Sequence, residues 1–457
     1  MADEGSERDL FFWVISMVGA FAILSSTMSK NPVLPLLAQS LGARGPDLGL
    51  IAAASTIPGI LVSLPAGSLS DLLGRRKVVF FSLAVFATAP LLYLLVHAAW
   101  HLVLVRFYHG FATAIFGPVA NAIIAEKFPR QKGERISIFS SATIVGRSAA
   151  PFLGGTILYL ANMNFDFVYL TVELSATAAL VLAILLYREV DKPEMRSEKR
   201  ETSRMMFLDM FVAWKKISRD ARILVTSLVE SVQFLTFGAF EFFIVLYAKS
   251  IEINSFQIGV ISGAQLVSVV FSKPMMGRLS DSFGRRPIIT IGLMLGSAAL
   301  FVTGLTYGFP SLLGASILYG VGFAAVTSST AAFVSDVTTR EDYGSAMGFL
   351  STIMDVGQTM GPIITAFALE ASDYGDAFRL LGALMLAVFV PFVLLTREKK
   401  DRSQKARLHP VSIWGAQAEE SGAIGESYRL PLMCVLSSKR CDPRPLRCID
   451  HSSRSNL

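Results

Sequence analysis

Long apolar stretches alternate with short polar segments along most of this chain. A helix needs about 20 mostly apolar residues to cross a bilayer, and the pattern predicts twelve such spans. The predicted spans of the first half are Phe11–Ser29, Asp47–Ser70, Val78–Val96, Trp100–Ala125, Ile136–Leu160 and Phe167–Tyr187. Those of the second half are Ile223–Ala248, Ser255–Ser280, Pro287–Tyr307, Pro310–Val334, Tyr343–Leu369 and Ala377–Leu395. The pattern therefore predicts an all-α integral membrane protein with twelve transmembrane helices.

Composition agrees with a lipid environment. Of 457 residues, 53% are hydrophobic and only 17% are charged, whereas a soluble domain carries about 25% charged residues. The first apolar run has no small-residue cleavage site after it and is followed by eleven more runs, so we expect an uncleaved first helix.

Lysine and arginine are concentrated in every second polar segment, which predicts the orientation in the membrane. The basic segments are 75–77, 127–135, 188–219, 285–286 and 397–400, whereas the alternate segments carry only Lys30, Arg44, Lys249 and Arg379. We predict a multi-pass protein of the cell membrane with both termini in the cytoplasm. This topology accounts for the formal net charge of +6, and we expect no nucleic-acid partner.

A polar loop is repeated between apolar runs. Segment 67–77 returns 210 positions later (277 minus 67) as segment 277–287. The repeat continues at the positions Gly110, Ala114 and Glu126, which match Gly320, Ala324 and Asp336. A parallel repeat predicts two pseudo-symmetric six-helix bundles, with a substrate site between them near the bilayer midplane. We predict halves at 1–188 and 222–396, a cytoplasmic linker at 189–221 with a surface-lying amphipathic helix near 205–217, and a disordered cytoplasmic tail at 397–457.

The glycines and the acids of this loop can each be assigned a physical role. Gly67 and Gly277 permit close helix packing, and Gly74 and Gly284 suit a reversal that needs positive φ. The two loop acids, Asp71 and Asp281, are suited to accept hydrogen bonds from a helix N-terminus in the opposite half.

The loop resembles the G-x-L-x-D-x-x-G-R-[RK] loop of the major facilitator superfamily, whose members are secondary transporters. The resemblance implies that the two acids latch the cytoplasmic side shut. It also implies that Arg75 pairs with Glu126 and that Arg285 pairs with Asp336. The alternative is that these charges only set the topology and solvate the loop.

Two further motifs resemble the same family. Arg106 of the predicted fourth helix occupies the position of an arginine associated with proton-coupled members, whereas the second half has Ser316 there. The alternative is that Arg106 only anchors its helix to backbone carbonyls. We expect the nearby His109 to be packed.

A stripe on the fifth helix resembles the G-x-x-x-G-P-x-x-G-G motif of family antiporters, with Ala150 in place of its second glycine. The stripe and its counterpart on the eleventh helix, which lacks the final glycine pair, comprise Gly146, Pro151, Gly154, Gly155, Gly357, Gly361 and Pro362. Ordinary helix packing is the alternative reading.

Ionisable residues inside the spans are candidates for coupling, because each costs about 3 kcal/mol at the bilayer centre unless it is paired or hydrated. Glu230 and Glu241 are eleven residues apart, which places them within about 20° on one face of the seventh helix. We expect that face to line a cavity and the carboxylates to exchange protons, with structural pairing to Arg147 or Lys273 as the alternative. The proton-coupling or substrate candidates are Arg106, Arg147, Glu230, Gln233, Glu241, Asp355 and Gln358.

The family resemblance implies a transporter that moves a small organic molecule by alternating access, and most closely a drug–proton antiporter acting in efflux. Two alternatives stay open, namely a proton-coupled uptake symporter for an organic anion and a non-transporting membrane sensor. The sequence has no nucleotide-binding loop or catalytic triad, so we expect no enzyme, no cofactor and no obligatory protein partner. The three cysteines lie seven residues apart in the tail, unlike zinc ligands, so we expect no metal.

Overall fold

The computed structural model describes residues 2–62, 70, 73–189, 214–215, 217, 219–339 and 342–396, and all regular secondary structure among them is helical. The first six helices are α1 (Ala2–Lys30), α2 (Pro46–Val62), α3 (Arg75–Tyr93), α4 (Ala99–Lys127), α5 (Lys132–Leu160) and α6 (Phe165–Glu189). The next six are α7 (Ala221–Ser250), α8 (Ser255–Phe283), α9 (Arg285–Thr303), α10 (Phe309–Val337), α11 (Tyr343–Ala371) and α12 (Tyr374–Leu395). A short helix, Val33–Ser40, follows α1.

Ten of the described helices, with the short helix counted together with α1, are long and apolar enough to cross a membrane. Helices α2 and α11 complete the set. The predicted fold class is therefore confirmed: the chain is an all-α membrane protein with twelve spanning helices in two six-helix bundles.

Several helix ends differ from the sequence prediction. Helix α1 begins well before Phe11, and Asp9 in this early part forms an ion pair with Arg135 at 2.7 Å. Helices α3 and α9 end at Tyr93 and Thr303, although apolar residues continue beyond both. After Tyr93 the backbone forms turns in which hydrogen bonds join residues three positions apart. The apolar sequence therefore extends beyond the end of the helix.

Helix α2 is interrupted in its middle. It is regular from Pro46 to Ala53, passes through a turn at residues 54–56, and resumes as far as Val62. Pro58 explains the interruption, because proline has no N–H to donate and its ring clashes with the carbonyl four residues earlier. The turn places Ser55 and Thr56 between α4 and α11.

The two bundles repeat the same close backbone contacts. Gly146 of α5 lies against the carbonyl of Ala20 in α1, and Gly357 of α11 lies against the carbonyl of Ser231 in α7. The same relation holds between α4 and α2, where Gly110 meets the Ser55 carbonyl, and between α10 and α8, where Gly320 meets that of Gln265. The internal packing of the first half therefore recurs in the second half.

The halves meet through α5 with α8 and through α2 with α11. We call the end of the bundle at Lys127, Lys132 and Arg285 the basic end, and the other the opposite end. The contacts lie toward the opposite end: a Cβ on Gly155 would come within 2.6 Å of the Ser255 carbonyl. At the basic end, a Cβ on Gly277 would meet no described atom within 4 Å. The described residues thus seal the bundle at the opposite end.

Most of the predicted linker and all of the tail lie outside the described residues. Near the end of the predicted amphipathic helix, Trp214 donates a hydrogen bond to the Ser345 carbonyl at 3.2 Å. Ile217 packs with Val334 and Leu350. These two side chains therefore pack on the second half, and most of the rest of the helix predicted on the cytoplasmic surface lies outside the described residues.

Candidate functional site

A cavity of about 360 Å³ lies between the two halves, on the basic side of their seal. Five of the predicted candidates line it, namely Arg106, Arg147, Glu241, Asp355 and Gln358. The interrupted part of α2 also contributes, through Ser55 and Thr56. Such a volume is in the usual range for small-molecule sites, which is about 300–1,000 Å³.

An ion pair joins the halves across this cavity. Lys30 Nζ in the last turn of α1 lies 2.6 Å from Glu241 Oε2 on α7, and their side chains are 24% and 8% exposed. Arg147 or Lys273 was the predicted partner of the glutamates, whereas Glu241 forms its direct ion pair with Lys30 and interacts with Arg147 only through longer-range electrostatics. Lys30 follows directly on the end of the first predicted span, and this was the only signal that could have found it. A second cross-half contact, between the hydroxyls of Thr56 and Thr359, is 2.7 Å long.

Glu230 does not share the cavity with Glu241. It is 5% exposed and accepts a hydrogen bond from Thr330 of α10 at 2.5 Å. The prediction that one face of α7 lines the cavity at both carboxylates is therefore wrong. Equal angles about a helix axis do not give equal surroundings, because the cavity occupies only part of the length of α7 and α10 covers Glu230.

The residues between the two glutamates also differ in their surroundings. Gln233 is fully buried and does not line the cavity. Phe237 does line it, and its ring centroid lies 4.4 Å from that of Phe323 on α10. One turn away, the ring centroid of Phe234 is 5.1 Å from that of Phe323. These three phenylalanines therefore form an apolar cluster beside the cavity.

Arg106 is almost completely buried, at 2% exposure. Its guanidinium donates a hydrogen bond to the Ser55 hydroxyl, whereas its Nε has no hydrogen-bond partner in the part of the chain that the structure describes. The sequence analysis did not find Ser55, because the interruption of α2 places that hydroxyl beside α4. His109 lies edge-on to Phe86 and Tyr93, at 5.8 and 6.2 Å between ring centroids. Histidine at this position is packed, as predicted.

Asp355 on α11 and Arg147 on α5 line opposite walls of the cavity. Asp355 is half-buried and Arg147 is exposed. Among the described residues, neither charged group has an ion-pair or hydrogen-bond partner. These two side chains are therefore available to a molecule that enters the cavity.

The repeated loop keeps its local geometry in both halves. Gly74 and Gly284 both have φ of +93°, as the loop pattern predicts. Arg75 lies 2.6 Å from Glu126, and Arg285 lies 2.9 Å from Asp336. The predicted arginine–acid pairs are thus present at the basic ends of both bundles.

The described loop acid, Asp281 of the second half, does not make the predicted contact between halves. Asp281 forms an ion pair with Arg285 of its own half, and Gly277 packs against no described neighbour. Because the described halves do not meet there, Asp281 binds the cation one turn further along the chain. The first-half counterparts, Gly67 and Asp71, lie outside the described residues.

The predicted packing stripes lie at two kinds of contact. In α11, Gly361 lies against the Leu235 carbonyl of α7, which is a contact within one half. In α5, a Cβ on Gly154 would lie 3.2 Å from the side chain of Met28 in the same half. Gly155 instead meets Gly259 of α8, so it belongs to the seal between the halves. Pro151 supplies a carbonyl to the same seal, whereas Pro362 contributes its carbonyl beside Gly49 of α2.

Comparison with known proteins agrees with this architecture. The chain is similar to the multi-drug resistance efflux pump PmrA homolog of Lactococcus lactis, with 27% identity over 78% of this chain and 87% of that protein. It is also similar to the quinolone resistance protein NorA of Staphylococcus aureus, with 22% identity over 82% of this chain and 92% of that protein.

Among solved structures, the nucleoside transporter NupG superposes with a TM-score of 0.69 at 13% identity, over 85% of this chain and all of that one. The family model of the Major Facilitator Superfamily matches residues 16–253 and 226–443. The chain therefore belongs to the Major Facilitator Superfamily of membrane transporters.

Proposed function

We propose that the protein exports a small organic molecule from the cytoplasm in exchange for protons. The curated relatives include proteins named as a multi-drug efflux pump and a quinolone resistance protein, which supports export of an organic compound. The structural support is a cavity between the halves that contains an unpaired carboxylate, Asp355.

The position of the seal indicates which step of the export cycle this state would represent. The positive-inside pattern predicts that the basic end faces the cytoplasm. The opposite end, where Gly155 meets Gly259, is then the outer side. In this state the cavity is shielded from the outside, and an exporter needs such a state to take up its substrate.

Transport requires the seal to open and the basic end to close. Opening the outer side would separate Lys30 from Glu241 and Thr56 from Thr359, because both contacts join the halves. In the alternate state, we expect Asp71 and Asp281 to meet helix N-termini of the facing half, where the helix dipole favours an acid. Exchange follows if a proton and the substrate compete for Asp355, since binding of either then favours release of the other.

The test uses purified protein in liposomes with an imposed pH gradient and a panel of fluorescent organic compounds. Asp355→Asn should abolish gradient-driven accumulation and preserve substrate exchange without a gradient, because asparagine keeps the shape of the side chain but cannot titrate. The matched control is Glu134→Gln on the exposed first turn of α5. Full gradient-driven transport by Asp355→Asn would contradict this role of the carboxylate.

Orientation is tested separately with cysteines at Gly133 and Ser372, in a variant whose three native cysteines are replaced by serine. Ser372 is exposed at the opposite end, and Gly133 at the basic end. In intact cells, a membrane-impermeant thiol reagent should label Ser372→Cys and leave Gly133→Cys unmodified. The reverse pattern would overturn the proposed orientation in the membrane.

One observation favours a second function, the uptake of an organic anion together with a proton. The two arginines of the cavity, Arg106 and Arg147, outnumber the unpaired acid Asp355. Protonation of Asp355 would raise the positive charge near a bound anion, so the proton and the anion would bind cooperatively and move in the same direction. The liposome assay separates the two functions, because antiport and symport move protons in opposite directions relative to the substrate.

A further inference from the structure

The charges of the cavity are divided between its two walls. The cations that line it are Lys30, Arg106 and Arg147, on α1, α4 and α5 of the first half. The acids that line it are Glu241 and Asp355, on α7 and α11 of the second half. The cavity therefore has a positive wall and a negative wall that face each other.

Pairing removes one charge from each wall. Lys30 and Glu241 neutralise each other at 2.6 Å. Arg106 and Arg147 then remain on the positive wall, and Asp355 remains on the negative wall. Among the described residues, none of these three has an ion-pair partner, so the cavity keeps both signs of charge available to a ligand.

Arg106 is the strongest indication that an anionic group binds. It is 2% exposed, its polar neighbours among the described residues are the neutral hydroxyls of Ser55 and Tyr93, and its buried Nε has no hydrogen-bond partner among those residues. A guanidinium inside a membrane protein is costly unless an acid, a carbonyl or water compensates it. An acidic group of a ligand in the cavity would supply that compensation.

The remaining surface of the cavity is suited to a ring. Phe237 lines the cavity and is backed by Phe323, with ring centroids 4.4 Å apart. A volume of about 360 Å³ matches the smaller small-molecule sites. A compact molecule with an apolar or aromatic body would fill it.

We propose that the transported molecule is amphoteric, with an acidic group held by Arg106 and Arg147 and a basic group held by Asp355. This inference rests on the proposed exchange of substrate for protons and names its substrate class. The basic group and a proton would compete for the same carboxylate, whereas the arginines would hold the acidic group in either case. Binding of the substrate should therefore release a proton from the protein.

The test measures binding to the purified full-length protein in detergent by calorimetry, with four probes that share one ring. The probes are para-(aminomethyl)benzoate, which carries both groups, para-methylbenzoate, para-methylbenzylamine and para-methylbenzamide. The first should bind roughly tenfold or more tightly than each of the others, because each charged hydrogen bond contributes about 1.5–3 kcal/mol. Titrations in buffers of different ionisation enthalpy should show proton release with this probe.

Two variants assign the groups to the walls. Arg147→Gln should weaken the preference for the acidic group, which Arg106 alone would then hold, and leave the preference for the basic group. Asp355→Asn should do the reverse and should abolish proton release. A melting curve for each variant shows that it is folded, and Glu134→Gln is the matched control.

The outcomes separate this inference from the proposed function. If the acid-only probe binds as tightly as the amphoteric one, or if the amine-only probe does, the amphoteric class is wrong while proton exchange in liposomes can persist. If liposomes show no proton-coupled transport while the ranking of the four probes holds, the coupling proposal fails and the site assignment stands. Equal binding of all four probes would overturn the inference.

Discussion

The two six-helix halves share their internal packing and differ in the polar side chains that this packing presents. Gly110 and Gly320 make the same type of backbone contact in their respective halves. Four residues earlier, however, the first half has Arg106 and the second half has Ser316, and both are buried. The comparison indicates that the duplicated helix packing forms a common scaffold, on which the chemistry of the cavity diverged.

The same divergence appears one turn further along these helices. His109 of α4 corresponds to Tyr319 of α10 at the offset of the repeat. The Tyr319 hydroxyl lies 2.9 Å from that of Thr236 on α7, whereas neither ring nitrogen of His109 has a hydrogen-bond partner among the described residues. The second half thus satisfies its buried polar group internally, and the first half leaves the corresponding imidazole without a hydrogen bond to those residues.

The largest effect is expected at the ion pair that joins the halves. Glu241→Gln should lower the free energy of unfolding by about 3 kcal/mol, because it leaves Lys30 partly buried without its acid. The double variant Lys30→Met with Glu241→Gln should lose less stability than the two single variants lose in sum. A double-mutant cycle of melting curves measures this difference. Additive effects would show that the halves are not coupled at this pair.

A second prediction compares the two packing stripes. The first half has Ala150 at the place where the second half has Gly361, and a Cβ on Gly361 would collide with the Leu235 carbonyl. Gly361→Ala should cost about 1–3 kcal/mol of stability through overpacking. Gly348→Ala, where no described atom lies within 4 Å, is the control. Equal melting temperatures for the two variants would contradict the closer packing of α11 on α7.

Capping gives a third, smaller contrast. Asp220 caps α7 by accepting a hydrogen bond from the Arg222 backbone N–H, whereas no side-chain cap is made at the described N-terminal residues of α3, α4 and α5. Asp220→Ala should therefore cost about 1 kcal/mol, and Gln131→Ala at α5 should cost less. Denaturant or heat titrations of both variants measure the difference, and equal losses would remove the contrast.

The same cap has a pH dependence. Hydrogen bonds from Arg222 lower the pKa of Asp220. A carboxylate with a lowered folded pKa stabilises the fold above its unfolded pKa of about 3.9, and this stabilisation is lost as the pH falls through the folded pKa. The difference in melting temperature between the parent protein and Asp220→Ala should therefore shrink only at acidic pH. A constant difference down to that range would exclude the carboxylate as its source.

The smallest effect is expected at the duplicated ion pairs of the basic end. Glu126 and Asp336 are 61% and 54% exposed, and exposed ion pairs contribute about 0–1 kcal/mol. Glu126→Gln and Asp336→Asn should both change the melting temperature only slightly, and by similar amounts. A large loss in one variant alone would show that the halves differ at this end too.

The sequence allowed prediction of those features that depend on residues close together or repeated at a fixed offset. Gly74 and Gly284 adopt positive φ, and Arg75 meets Glu126, because the loop and the adjacent helix ends fix these relations locally. The pairing of Lys30 with Glu241 could not be predicted in this way, since it depends on how α1 of one half sits against α7 of the other. Glu230 was placed incorrectly for a related reason, because helix periodicity gives a direction and does not give the depth at which a cavity ends.

The closest approach between the halves at the opposite end, where α5 meets α8, is between main-chain atoms. Gly155 and Gly259 approach each other so closely that a Cβ on Gly155 would lie 2.7 Å from the Gly259 Cα. The residues proposed to bind the substrate, Arg106, Arg147 and Asp355, lie elsewhere, on the cavity walls. Selection can therefore exchange the wall residues of such a protein without altering the surfaces by which it closes, so a new specificity need not come with a leak.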